Sequence, residues 1–232
     1  MIYHRKAEER GKVNLGWLQG SHTFSFGHYY DPKHMGFKNL RVINDDNIAG
    51  GRGFDTHPHK DMEIITFVTD GVLEHKDTLG SHALIRPGEI QIMSAGSGIF
   101  HSEYNHLKDE STKLFQIWIE PNKLGVAPRY EQYDYMPRKV RNGLTLLVSP
   151  QGGENIASIY ADAKLSLGHY EGGKEIHLDL DSQKSYWLQM VSGSAVFNEA
   201  KLGRGDGLAI QEEDGLFLSV EAESEFLLFE LS

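Results

Sequence analysis

Short apolar and β-branched segments recur along the whole chain, separated by turn-forming residues. Segments of this kind, bounded by Gly, Pro, Asn and Asp, are typical of β-strands. The clearest are Leu40–Asn44, Glu63–Val68, Ile90–Met93, Leu114–Ile119, Leu144–Ser149, Trp187–Val191 and Phe226–Phe229. Glycine is abundant, at 25 residues, and segments with helical periodicity are scarce. The sequence therefore predicts an all-β protein built from barrels or sandwiches.

A weak internal repeat divides the chain into two similar halves. FVTDGVLEH at 67–75 aligns with MVSGSAVFN at 190–198, and Pro87-Gly88-Glu89 aligns with Arg204-Gly205-Asp206. A length of 232 residues suits two small domains. The segment 121–143 has little periodicity and is interpreted as the linker between the two domains. Within the second half, the segment 154–165 fits either a helix or two short strands.

Charge and composition exclude several classes of function. The formal net charge is -10 and no long Lys/Arg run exists, so direct nucleic-acid binding is not expected. The chain has no cysteine, which excludes disulfides, thiolate metal sites and Cys nucleophiles. The N-terminus lacks a secretory signal and no apolar run approaches ~20 residues, so no membrane segment is expected. We expect a soluble cytoplasmic protein.

Two short histidine motifs carry the chemistry. His57 and His59 form an H-P-H pair, and His101 and Glu103 form an H-S-E pair. Residues i and i+2 of a strand face the same side, so each pair directs two ligand atoms at one point. Three imidazoles and one carboxylate suit Fe(II), Mn, Co, Ni, Cu or Zn, and they leave a coordination position open for catalysis. Glu63 shares the parity of the first pair, either as a further ligand or as an acceptor fixing an imidazole.

These residues resemble the cupin superfamily, whose two motifs are the source of its metal ligands. Gly51, His57, His59, Glu63 and Gly71 follow the first motif, and Gly96, Gly98, His101 and Asn105 follow the second, with glycine replacing the usual proline. Longer segments resemble the pirin family of two-cupin proteins. They are GWLQGSHTFSFGHYYDP at 16–32, LRVINDD at 40–46, THPHKDMEIITFV at 56–68, MSAGSGIFHSEYN at 93–105, LFQIWI at 114–119 and PRYEQ at 128–132.

The resemblance implies two tandem cupin barrels, each a double-stranded β-helix of jelly-roll type. The N-terminal metal-binding barrel is expected at 1–125 and the C-terminal barrel at 126–232. The resemblance also implies one divalent metal ion on His57, His59, His101 and Glu103, with Glu63 outside the ligand set. Fe(II) is the preferred ion, with Zn, Mn, Co, Ni and Cu left open. The repeat alignment puts Leu180, Ser182, Leu218 and Val220 at the matching positions, so the second barrel is expected to bind no metal.

Bacterial pirins of this kind are described as quercetin 2,3-dioxygenases, so the resemblance implies a flavonol and O2 as substrates. The enzyme would open the central flavonol ring and release carbon monoxide, with Glu103 as general base. Candidates for an apolar pocket wall are Met62, Phe54, Phe67, Met93, Phe115 and Trp118, although most of them also suit an ordinary core. The alternative is a redox-sensitive metalloprotein that binds a protein partner as a regulatory cofactor, and another metal-dependent chemistry also stays open.

Overall fold

The computed structural model describes every residue from Met1 to Ser232, and β-strands make up most of it. The strands are β1 (Ile2–Arg5), β2 (Gly11–Asn14), β3 (Leu18–His22), β4 (Leu40–Ile48), β5 (Gly53–His59), β6 (Glu63–Asp70), β7 (Leu73–Asp77), β8 (His82–Ile85), β9 (Glu89–Ser94), β10 (Ile99–Asn105), β11 (Thr112–Ile119), β12 (Arg129–Asp134), β13 (Gly143–Ser149), β14 (Ala157–Ser158), β15 (Ala163–Tyr170), β16 (Lys174–Asp179), β17 (Ser185–Phe197), β18 (Ala200–Gly203), β19 (Gly207–Gln211) and β20 (Gly215–Leu231). Two short 3₁₀ helices lie at Ala7–Glu9 and Met136–Arg138.

The prediction of an all-β chain is confirmed, because every predicted strand segment lies within an observed strand. The stretch 154–165 contains β14 and the start of β15, so its interpretation as strands is right and the helix alternative is wrong. Neither 3₁₀ helix has the length and apolar character that a membrane-spanning helix needs.

The chain divides into two compact units that are each discontinuous in sequence. The N-terminal unit consists of Gly11–Pro137 and Pro150–Asp162, and the C-terminal unit consists of Met1–Arg10, Arg138–Ser149 and Ala163–Ser232. A single division at residue 125 does not describe these units. Strand pairing explains the difference, since β1 pairs with β19 whereas β12 pairs with β9.

The segment predicted as a linker, 121–143, contains an ordered strand. β12 is an edge strand of the N-terminal unit, and most of its residues are half-buried. Such a strand lacks the alternation of apolar and polar residues that identifies strands with one buried face, so the sequence pattern did not reveal it.

Two antiparallel sheets form the N-terminal unit. One has the strand order β5-β10-β7-β8, and the other has the order β12-β9-β6-β11-β4-β3-β2. Their inner faces share an apolar cluster, to which the first sheet contributes Leu73 and Ile85 and the second contributes Leu18, Ile48, Val68 and Leu114. Side chains between these sheets are therefore withdrawn from water, whether they are apolar or polar.

The C-terminal unit is a sheet with the strand order β1-β19-β17-β20-β15-β13, to which β16 and β18 add pairs with β20 and β17. Register shifts along the long β17–β20 pair mark irregularities that let long strands bend around one core. Gly88 precedes β9 with φ 94°, and Gly205 precedes β19 with φ 90°. Both glycines adopt a backbone conformation that L-residues disfavour, at the two positions aligned by the internal repeat.

Candidate metal centre and its cavity

Three histidine rings meet where β5 pairs with β10. His57 lies directly opposite His101 in the ladder, and the ring centroids of these two residues are 4.4 Å apart. The His59 ring lies 4.9 Å from that of His57 and 4.8 Å from that of His101. One potential ligand atom from each ring lies within 4.8 Å of the others. The two motifs thus bring three imidazoles to one point, as their spacing predicts.

The H-P-H motif suits the position of β5 at the edge of its sheet. Pro58 has no N–H group to donate to a neighbouring strand, and an edge strand accommodates such a residue. The register shifts between His101 and Glu103 on the partner strand. Such an irregularity re-aims side chains, and it lies at the centre of the candidate site.

Burial and the neighbouring rings keep the imidazoles of His59 and His101 neutral. Burial, with the neighbouring His101 and His57, lowers the pKa of His59 to about 4. Burial, with His57 and His75, lowers the pKa of His101 to about 3. A neutral imidazole has one nitrogen lone pair available, which is the form that binds metal ions.

Two observations show which nitrogens are available. Nδ1 of His57 lies 2.7 Å from the Asp55 carbonyl oxygen, to which it donates, so the lone pair of this ring is on Nε2. Nε2 of His101 is buried and has no hydrogen-bond partner. A buried polar atom without a partner costs free energy, and a metal ion would satisfy it. The donor set therefore fits a divalent metal ion.

Glu103 is buried beside this cluster, with 4% of its surface exposed. Nε2 of Gln116 donates to both of its carboxylate oxygens, at 2.8 and 3.0 Å. A carboxylate oxygen of Glu103 groups with ring nitrogens of His75 and His101 within 4.8 Å, in a second cluster that shares His101 with the first. The four predicted residues thus lie together around His101, but they form two overlapping groups.

His75 and Asp77 extend the site beside His101, and neither residue belongs to the two predicted histidine motifs. Nδ1 of His75 lies 3.5 Å from Nδ1 of His101, and Nε2 of His75 lies 3.0 Å from Oδ2 of Asp77. Burial alone raises the pKa of Asp77, but hydrogen bonds from His75 and Ser81 hold it below its usual value. With Asp77 ionised, His75 donates from Nε2 and accepts at Nδ1, so His101 donates from Nδ1 and keeps its lone pair on Nε2. The H-K-D spacing at 75–77 is the same i, i+2 signal as in the recognised motifs.

Glu63 lies elsewhere in the same unit. Its carboxylate accepts a hydrogen bond from the Ser94 hydroxyl at 2.8 Å and a backbone hydrogen bond at Tyr160. Arg129 donates to the same hydroxyl, at 3.1 Å. Since Glu63 belongs to this hydrogen-bond network and not to either histidine cluster, it is neither a further ligand nor an acceptor that fixes an imidazole.

A cavity of about 540 Å³ opens onto His57, His59 and Glu103. Among the predicted wall residues, Phe54 and Trp118 line it. Met93, Phe67 and Phe115 are buried outside its lining, and Met62 packs against the apolar cluster that contains Met93. The Trp118 ring meets the His59 ring edge-on at 4.9 Å between centroids, and the Trp17 ring meets that of Phe54 at 5.2 Å. The cavity therefore combines aromatic walls with a polar, metal-compatible end, which is typical of small-molecule sites.

Comparison with known proteins identifies the family. The model of the family described as Pirin matches residues 3–119, and the model described as Quercetinase C-terminal cupin domain matches residues 146–231. The chain belongs to the pirin family. It is a two-cupin protein, as the sequence predicts.

Similar pirins and their structures cover the full length of the chain. A protein named quercetin 2,3-dioxygenase from Escherichia coli (strain K12) is 45% identical over 231 residues, covering 100% of this chain and 99% of that protein. A pirin-like protein from Caulobacter vibrioides is 38% identical, covering 98% of each. The crystal structure of the bacterial pirin YhhW from Escherichia coli in complex with nickel(II) has a TM-score of 0.93 at 45% identity, covering 100% of this chain and 99% of that one.

The positions of this pirin's C-terminal unit that align with the histidine motifs have a different character. Leu180, Leu218 and Val220 are buried in the core of that unit, and Ser182 is exposed in a turn. None of these side chains is a good ligand for a divalent metal ion. The absence of a second metal site stays a prediction.

Proposed function

We propose that this pirin is a metal-dependent dioxygenase that opens the central ring of a flavonol such as quercetin with O2 and releases carbon monoxide. The observation that carries the proposal is the cluster of three histidines beside an aromatic-lined cavity. The names of similar full-length proteins supply the substrate class. The cavity of about 540 Å³ falls within the range of about 300–1,000 Å³ typical of small-molecule sites.

We infer that one divalent ion binds to His57, His59, His101 and Glu103. The buried, unpartnered Nε2 of His101 supports this assignment, and so does the nickel(II) complex of the similar pirin YhhW. His75 is a weaker candidate ligand, because both of its ring nitrogens already have partners in Asp77 and His101. We retain Fe(II) as the preferred ion. When bound, the ion would act as a Lewis acid that favours the ionised form of the flavonol hydroxyl.

Glu103 is the proposed general base, which would accept the proton of the flavonol 3-hydroxyl group. It is the carboxylate that both lines the cavity and lies beside His101. The Gln116 amide donates to both oxygens, and the Thr66 hydroxyl lies 3.5 Å from one of them. These contacts orient the carboxylate while leaving it lone pairs for the incoming proton.

The cavity walls would position the flat rings of the flavonol and keep water away from them. Trp17, Phe54 and Trp118 offer aromatic surface, and Leu18 and Leu114 add aliphatic surface. Flat aromatic ligands pack well against such surfaces, and the displaced water strengthens the polar interactions at the other end.

The experiment is aerobic addition of quercetin to protein loaded in turn with Fe(II), Mn, Co, Ni, Cu and Zn. We expect loss of flavonol absorbance with release of one carbon monoxide per flavonol consumed, for at least one metal. Chelated protein and an anaerobic reaction serve as controls and should show neither change. No turnover with any of the metals, in protein of verified metal content, would reject the dioxygenase.

A further inference from the structure

One wall of the cavity carries two polar side chains that the proposed chemistry does not use. Asn44 and Asp46 occupy alternate positions of β4, so both point to the same side of the sheet and line the cavity. Only 3% of Asn44 and 4% of Asp46 is exposed. Ile48, two residues further along the same face, is apolar, which is the usual character of such a wall.

The buried oxygens of these side chains lack partners. Oδ1 of Asn44 and Oδ1 of Asp46 are buried and accept no hydrogen bond. Leaving such a group unsatisfied opposes folding, and an apolar residue of similar size would avoid that cost. Two adjacent unsatisfied groups that face a cavity are therefore better explained by a ligand than by folding.

The neighbouring strands give these groups room and place them near the reacting end. Gly20 lies opposite Asp46 in the β3–β4 ladder, and any Cβ at position 20 would collide with Asp46 Oδ1. On the other side, Gln116 lies opposite Asn44, and it is the residue whose amide holds Glu103. The pair thus lies one strand away from the residue that orients the proposed base.

The chemistry of the pair suits hydroxyl groups. The Asn44 amide offers both a donor and an acceptor. Burial, with the charges of Asp45 and Glu103, raises the pKa of Asp46 to about 7, so near neutral pH this carboxyl group also occurs in a donating form. A phenolic hydroxyl donates and accepts in the same way, and its flat ring would lie along the aromatic wall.

We propose that Asn44 and Asp46 form a recognition subsite for ring hydroxyl groups of a polyhydroxylated aromatic ligand. The subsite rests on the proposed function, because it takes the flavonol as the ligand of the cavity. It determines which flavonol binds, and Asn44 and Asp46 take no part in proton transfer. Recognition of this kind discriminates strongly, because an analogue without the hydroxyl leaves the buried groups unpaired.

The test compares two flavonols in metal-loaded protein without O2, using the absorbance of the bound ligand to measure affinity. Quercetin carries ring hydroxyls, and 3-hydroxyflavone has only the 3-hydroxyl group. In Asn44→Leu and Asp46→Leu, we expect quercetin to bind about 3–10-fold more weakly, as for the loss of one hydrogen bond. The affinity for 3-hydroxyflavone should change less than about twofold, and Asp46→Asn should restore part of the affinity for quercetin.

Asn47→Leu is the matched control. Asn47 lies on the same strand, has an unpartnered buried oxygen as well, and does not line the cavity. Its replacement should leave the ratio of the two affinities unchanged. Thermal unfolding should show Asn44→Leu and Asp46→Leu to be at least as stable as the wild type, whereas a purely structural role would lower their stability.

The outcomes separate the subsite from the dioxygenase. A selective loss of quercetin affinity supports the subsite, even if the wild type turns over no flavonol. An unchanged affinity ratio in both Leu variants, with active wild type, overturns the subsite and leaves the dioxygenase standing. If neither flavonol binds to metal-loaded wild type, both proposals are overturned.

Discussion

Alternate residues of each strand point inward in both units, but these inward residues are partly polar in the N-terminal unit and apolar in the C-terminal unit. In β10, the inward positions hold Ile99, His101, Glu103 and Asn105. In the aligned part of β20, the inward positions hold Leu216, Leu218 and Val220. The alternation of side chains along a strand determines which residues point inward, but it does not determine whether those residues are apolar.

The difference has an energetic meaning. Burying a Leu or Val side chain contributes about 1.5–3 kcal/mol, whereas burying a polar group without a partner opposes folding. The apolar interior of the C-terminal unit therefore favours folding. The N-terminal unit accepts a polar interior, with His75, His101 and Glu103 all nearly inaccessible to solvent. Such a departure from stable packing is expected where a site binds or reacts.

The largest contrast is expected from alanine at the aligned positions His101 and Leu218. His101→Ala removes a proposed ligand, so metal content and turnover should fall together, by more than the ~10–100-fold typical of losing an outer partner of a ligand. His57→Ala should behave in the same way. Leu218→Ala should keep the metal and lose ~2–5 kcal/mol of unfolding free energy, measured in urea, because it opens a cavity in the core. Full metal content in His101→Ala would show that the ion binds elsewhere.

Glutamine substitutions at two buried glutamates of the N-terminal unit, Glu103 and Glu63, separate a carboxylate beside the histidines from one outside the site. Glu103→Gln keeps the shape and an oxygen but removes the proposed base, so turnover by fully loaded protein should fall ~10²–10⁴-fold. Glu63→Gln alters a carboxylate that belongs to the Ser94 and Arg129 network, so its turnover should stay closer to wild type. Loss of the Glu103 charge would also change the Lewis acidity of an ion bound there. Wild-type turnover in metal-loaded Glu103→Gln would contradict the assignment of the base.

Each unit also contains a His-x-Asp pair, one buried and one exposed. Asp77→Asn removes the charge that orients His75 and, through it, His101, so metal affinity should fall ~10–100-fold. Asp179→Asn is the matched control, because Asp179 is exposed and lies 3.6 Å from His177 on β16. Competition with a chelator of known affinity measures both variants. Equal affinities in Asp77→Asn and wild type would remove His75 and Asp77 from the site.

Metal removal should produce the smallest effect on stability, and the effect should be larger in the N-terminal unit than in the C-terminal unit. An ion that binds only the folded state stabilises it by ~2.7 kcal/mol when its free concentration is 100 times Kd. Chelation should therefore speed hydrogen exchange in β5 and β10 more than in β15 and β20. Equal acceleration in both units would indicate that the ion does not reside in the N-terminal unit alone.

The sequence predicted the features that repeat locally. The composition of segments such as Leu114–Ile119 is enough to predict a strand. The i, i+2 spacing of His57 with His59, and of His101 with Glu103, predicts that the side chains of each pair lie on one face of a strand. Features that depend on pairing between distant segments were not predictable in this way. The pairing of β1 with β19 and of β12 with β9 depends on edges that only the assembled sheets provide.

The same limit applies to side-chain partners. The sequence does not show the role of His75, because that role depends on the β7–β10 register, which places His75 opposite Glu103. Strand parity links Glu63 to the histidines, but β6 lies in the other sheet, where Glu63 pairs with Ser94 of β9. Parity along one strand does not reveal which strand lies beside it.

Metal stoichiometry tests most directly the claim that one unit holds the site and the other does not. Protein produced without an affinity tag is loaded with Fe(II), Ni or Zn, dialysed, and analysed by native mass spectrometry and elemental analysis. We expect one ion per chain in the wild type and in Leu218→Ala, and none in His101→Ala. Two ions retained per wild-type chain, or one ion retained by His101→Ala, would contradict the account.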